Sequence, residues 1–182
     1  MTIARRMKLF RRLVRAGFVG HAVLVLAYFS AGRFPSPVQG VHGIGPSFHA
    51  PRQGMLHQGI DVFAKRGTNV RSVGWGIVAG IEAQRMGGKV VHVVGRGGML
   101  AFYAHLDDWA PGLHVGQIVE EGDVLGVVGD TGNAKGTPPH LHFELRPAFT
   151  IFAPVDPLLF VEHDSSARDR LDAAIRSLPE RR

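Results

Sequence analysis

Gly136-Thr137-Pro138-Pro139-His140-Leu141-His142-Phe143-Glu144-Leu145 reads as a turn that runs into a β-strand. Successive strand side chains alternate faces, so His140 and His142 point the same way, with Glu144 behind them. The two prolines of the turn fix where the strand begins. Two imidazoles on one face form half of a metal site, and the other half has to come from elsewhere in the chain.

His57-Gln58-Gly59-Ile60-Asp61 supplies it. The even offset again puts His57 and Asp61 on one face of an extended segment, with Ile60 and Val62 on the other. Gly59, between the two donors, is expected to leave room for an ion. Two histidines and an aspartate make three nitrogen or oxygen ligands, and catalytic zinc typically takes three protein ligands and keeps a fourth position for water. Neither H-x-x-x-D nor H-x-H is specific alone. Their combination is.

Three segments in order, His57-Gln58-Gly59-Ile60-Asp61, Tyr103-Ala104-His105-Leu106 and Pro139-His140-Leu141-His142-Phe143-Glu144, resemble the lysostaphin/LytM-type zinc endopeptidases of bacterial cell walls. The likeness runs from about Gly40 to Phe160. Gly67-Thr68-Asn69-Val70, Val115-Gly116-Gln117-Ile118-Val119, Gly122-Asp123-Val124-Leu125-Gly126 and Gly129-Asp130-Thr131-Gly132 look like that family's connecting pattern. The resemblance implies a mainly β fold, an antiparallel sheet forming a groove, with a lipoyl-like hairpin segment. It implies Zn2+ held by His57, Asp61 and His142, with His105 and His140 as catalytic residues.

Composition sets outer limits. A chain of 182 residues has room for one ordinary domain plus appendages. Its formal charge of +6 is uneven: residues 1–34 carry seven basic side chains and no acidic one, leaving 14 basic against 15 acidic in the rest. A near-neutral domain argues against a nucleic-acid partner. The absence of cysteine excludes a disulfide framework and thiolate chemistry.

The excess charge belongs to a membrane signal. Arg5, Arg6, Lys8, Arg11, Arg12 and Arg15 precede the uncharged stretch from Ala16 to Gly32, whose 17 residues are just long enough to span a bilayer as a helix. Basic residues stay cytoplasmic, so the expected arrangement is a single-pass anchor in the inner (cytoplasmic) membrane, with the domain in the periplasm or extracytoplasmic space. Phe29 stands where signal-peptide cleavage wants a small residue, which favours an uncleaved anchor. The expected divisions are 1–34 for the basic segment and transmembrane helix, 35–160 for the metallopeptidase domain and 161–182 for a helical tail. Leu171, Ala174, Ile175 and Leu178 give that tail a short amphipathic helix behind Ser166.

Within the domain, Gly76 to Ile81, Lys89 to Val94 and Met99 to His105 read as strands, and their glycine turns fit antiparallel hairpins. The period-two rule puts Tyr103 on the face of His105. Two further short strands flank Glu120-Glu121-Gly122-Asp123. His49 reads as a solvated loop residue, His92 as a solvent-side strand residue without a role, and Lys135 as solvated.

No H-E-x-x-H is present, so no glutamate base stands beside the first ligand. His105 or His140 is left to take a proton from water, and whichever does not is placed to hydrogen-bond the oxyanion. Glu144 is expected to orient a ligand. The resemblance and the topology imply cleavage of peptidoglycan stem peptides or cross-links. Two alternatives are a catalytically inactive relative that activates a separate amidase, and a biotinyl- or lipoyl-type carrier; the carrier needs a lysine at a hairpin tip that is acidic here.

Overall fold

The computed structural model describes residues 34–40, 43–45, 48–52, 54–95, 98–147 and 153–161. The basic cluster, the apolar stretch 16–32 and the C-terminal tail lie outside them. Among the described residues there is no α-helix, and no helix is long and apolar enough to cross a membrane.

Eleven strands form in chain order: β1 (Gly43–Gly45), β2 (Pro51–Arg52), β3 (Met55–Leu56), β4 (Ile60–Phe63), β5 (Asn69–Arg71), β6 (Gly76–Gln84), β7 (Gly88–Gly95), β8 (Met99–Trp109), β9 (Ile118–Val119), β10 (Val124–Val128) and β11 (His140–Pro147). Nine make one sheet in the order β1-β4-β11-β8-β7-β6-β9, with β10 bridging β5 and β8. β2 and β3 form a separate small hairpin. Every strand pair is antiparallel. The mainly β expectation holds, and the three hairpin strands run longer than the sequence pattern indicates.

One face of the sheet is apolar. Ile60, Val62, Tyr103, Leu141, Phe143 and Leu145 are fully buried there, each removing side-chain surface worth about 1.5–3 kcal/mol. Tyr103 and Phe143 pack ring to ring at 5.2 Å, and the Tyr103 hydroxyl accepts from Val73 N at 3.1 Å. Burial pushes that hydroxyl's pKa up.

Two expectations are corrected. β9 and β10 flank the acidic turn but do not pair with each other: β9 pairs with β6, and β10 with β5 and β8. Ser72 takes the turn's backbone instead, accepting from Gly122 N at 2.9 Å and donating to Asp123 O at 2.8 Å, so no hairpin closes.

Tyr103 also does not share the face of His105. Lys89 sits opposite Leu106 and Val91 opposite Tyr103, so β8 inserts one extra residue against β7. This β-bulge falls at Ala104–His105, where His105 takes φ 62. Strict alternation would bury His105 beside Tyr103. The bulge turns it to the opposite face, and Gly87 O accepts from His105 N at 2.8 Å.

Candidate metal centre

Register builds the centre. β11 pairs with β4 so that His142 lies directly opposite Asp61, which puts their side chains on one face. His57 enters just before β4, tied to the preceding loop by His49 N to His57 O at 2.8 Å and His57 N to Ala50 O at 2.9 Å. The role expected of Gly59 needs correcting. A Cβ there would meet Phe143 O at 2.2 Å, so the glycine lets β4's approach press against β11 rather than leaving space for an ion.

Three donor atoms converge. His57 Nε2 lies 2.8 Å from His142 Nδ1, and Asp61 Oδ1 is 3.2 Å from each of these nitrogens. Among the described residues, His57, Asp61 and His142 form the group able to hold a metal ion, with ligand atoms within 4.8 Å of one another. His57 and Asp61 are buried, at 6% and 3% exposure. Two imidazole nitrogens and one carboxylate oxygen are the chemistry of a three-ligand catalytic zinc site, and the donor set fits that ion.

Neighbours set the donors' protonation and aim. Glu144 Oε1 is 2.9 Å from His142 Nε2, which leaves Nδ1 to face the other two donors. Arg146 donates to Glu144 Oε2 at 2.7 Å and also bonds Gln58. Arg52, on β2, sits 2.5 Å from Asp61 Oδ2, so the two carboxylate oxygens are divided between the guanidinium and the histidines. Burial alone would raise the Asp61 pKa, but hydrogen bonds from His142, His57 and Arg52 hold it well below the carboxylate range. Burial likewise opposes ionisation of Glu144, and His142 and Arg146 reverse that effect.

His105 and His140 flank the cluster without joining it. Their rings meet edge to face at 5.1 Å, and His140 Nε2 is 4.0 Å from Asp61 Oδ1. His105 Nδ1 is 2.9 Å from Thr131 O, and His140 Nδ1 is 2.8 Å from Pro138 O. A carbonyl only accepts, so each Nδ1 carries a hydrogen and each Nε2 is left for other partners. Burial, followed by the charges of His142 and His140, pushes the His105 pKa down to about 4.

The sequence model of Peptidase family M23 matches residues 55–157, more than half of the chain. The chain belongs to peptidase family M23. The M23 chain is 39% identical over 93 residues to an L-Ala--D-Glu endopeptidase of Bacillus subtilis (strain 168), covering 48% of this chain and 28% of that protein. The solved catalytic domain of the antimicrobial peptidase lysostaphin from Staphylococcus simulans is 28% identical, with a TM-score of 0.58 over 65% of this chain and 91% of that one. A zinc-containing peptidase from Vibrio cholerae is 27% identical, with a TM-score of 0.53 over 72% of this chain and 37% of that one. This M23 chain thus spans little more than a quarter of the Bacillus relative's length.

Sequence reasoning missed two residues of the M23 site. Arg52 belongs to no motif and stands on a two-residue strand, from which it reaches Asp61 nine residues later. Thr131 was one letter of a connecting pattern, yet its carbonyl accepts from His105 and its hydroxyl bridges Lys89 N at 2.9 Å and Leu106 O at 2.8 Å. His92 lies off the core face, as expected, where it packs on Phe102 at 4.9 Å and pairs with the exposed Glu82 at 3.2 Å. Lys135 is exposed, as expected.

Proposed function

We propose that this M23 chain is a zinc-dependent endopeptidase that hydrolyses stem peptides or cross-links of bacterial peptidoglycan. The observation that carries the reading is the convergence of His57, Asp61 and His142, flanked by two histidines whose Nδ1 atoms are held by backbone carbonyls, which leaves each Nε2 for the reacting groups. The names of the Bacillus and Staphylococcus relatives support the substrate class. Because all five side chains are in place, the enzyme is favoured over an inactive activator of a separate amidase.

His57, Asp61 and His142 would hold the ion. Bound zinc supplies Lewis-acid polarisation of a substrate carbonyl and acidifies an adjacent water. Thr131 O holds the His105 hydrogen on Nδ1 and burial disfavours a second one, so Nε2 accepts the proton of the attacking water and later delivers it to the leaving amine. His140, across from it, stabilises the oxyanion when its own Nε2 carries a proton. Glu144 and Arg52 keep the ligands aimed. Residues 1–34 are read as a basic segment and membrane anchor that leaves the domain outside the cytoplasm.

The deciding experiment is digestion of purified sacculi by the full chain, with and without a chelator, followed by analysis of the fragments. New peptide ends that disappear with chelator and return with zinc are expected. Glycan fragments, or no release at all, would overturn the reading.

A further inference from the structure

Phe34 is the first described residue, and it is locked into the domain. Its N–H donates to Phe160 O at 2.6 Å, it bridges Val161, and it is 1% exposed. The apolar stretch ends at Gly32, two residues earlier. Two extended residues reach about 7 Å. If residues 16–32 span a bilayer, as the proposed anchor requires, the end of the domain at Phe34 has to rest on the lipid surface.

That end carries exposed apolar side chains. Trp75, 53% exposed, lines the same small cavity as Phe34, and Leu159, 70% exposed, lies beside Phe160. Ile77 sits directly opposite Val94 on one side and Ile118 on the other, so the three form a row across β7, β6 and β9, all exposed. A row of this kind on a soluble surface marks a contact, and tryptophan favours the level of lipid headgroups.

We propose that Trp75, Leu159 and the Ile118–Ile77–Val94 row form a bilayer-contact surface, an inference that rests on the anchor reading above. The row is in register with Leu100 and Arg146, and His142 lies four residues further along β11, about 13 Å away at strand rise. The lipid therefore sets the standing height of the metal centre. The row lies on the sheet face that carries His142, at the end of that face, so the metal centre rises from the lipid along the strands of one face.

The test uses the full chain in phosphatidylcholine vesicles, with Trp109→Phe leaving Trp75 as the single emitter. Lipids brominated near the headgroup end of their chains are expected to quench Trp75 by half or more, while aqueous iodide quenches it little. Flotation of the chain with the vesicles but full access of iodide to Trp75 would overturn the contact surface and leave the anchor standing. A chain that does not float would overturn both. Cross-linking of Trp75→Cys between chains in the vesicle would identify a second copy as the occupant and overturn the proposal. The Ile77→Ser/Ile118→Ser variant is expected to cleave a soluble stem peptide as the parent does; a tenfold loss would assign the row to the substrate cleft and overturn it.

Discussion

His105 and Thr131 form a pair in which a backbone carbonyl chooses the tautomer of a side chain: Nδ1–H of His105 donates to Thr131 O at 2.9 Å. The Thr131 hydroxyl fixes that carbonyl in place by bridging the amide of Lys89 on β7 and the carbonyl of Leu106 on the bulged β8. Thr131→Val removes both side-chain bonds, each worth about 1 kcal/mol. The expected outcome is a kcat lower by about 10- to 100-fold with KM little changed, because small misplacements at reacting groups carry costs of that order. Thr131→Ser is expected to restore most of it, and 15N shifts of the His105 ring report the tautomer directly.

His105 and His140 do not supply donors to the converging cluster, so His105→Ala and His140→Ala are expected to keep their zinc. Turnover of peptidoglycan peptides should fall by about 10²-fold or more in each, given the usual contributions of a general base or an oxyanion donor. The double variant should lose less than the product of the two, because groups serving one step are non-additive. Loss of zinc from His140→Ala with retention in His142→Ala would exchange their roles.

Glu144→Gln keeps the shape but removes the charge that orients His142. Outer partners of this kind typically tune metal affinity by 10- to 100-fold. Competition with a chromophoric chelator is expected to show zinc affinity reduced by about 10-fold, with the folded state preserved by circular dichroism.

Gly59→Ala brings a methyl group to 2.2 Å from the carbonyl oxygen of Phe143 and 2.9 Å from Glu144 Cγ. Relief requires moving β4's approach away from β11, the contact that carries all three donors. A loss of about 3 kcal/mol is expected in denaturant unfolding, with zinc affinity falling alongside.

Arg66 ties its own loop to β8 and to the loop after β10 by pairing with Asp107 and, at 2.5 Å, with Asp130. The guanidinium, helped by Gly136 N, holds the Asp130 carboxyl below its usual pKa. A carboxylate with a depressed folded pKa stabilises fully above its unfolded value, about 3.9, and loses that effect as pH falls through the folded value. The Tm difference between parent and Asp130→Asn should therefore be present at pH 7, close below about pH 4, and shrink in high salt.

The H-x-x-x-D and H-x-H patterns were legible because period-two alternation is a property of a single strand, and Asp61 and His142 needed only extended backbone to be aimed. The direction of His105 was not legible. Its turn outward depends on one residue more in β8 than in β7 between two paired positions, a relation between strands that neither sequence displays alone. Arg52 was hidden for a similar reason, since a two-residue strand carries no periodicity. The glycine at position 59 was found but misread, because what it accommodates lies 84 residues away at Phe143.

The φ of 62 at His105 is a conformation that most side chains adopt only at a cost and glycine adopts freely. Position 105 is thus a place where durability and turnover compete. His105→Gly is expected to relax the kinked strand and raise the Tm, while turnover falls by about 10²-fold or more as in His105→Ala. An engineer selecting this domain for heat resistance alone would be drawn toward discarding its chemistry.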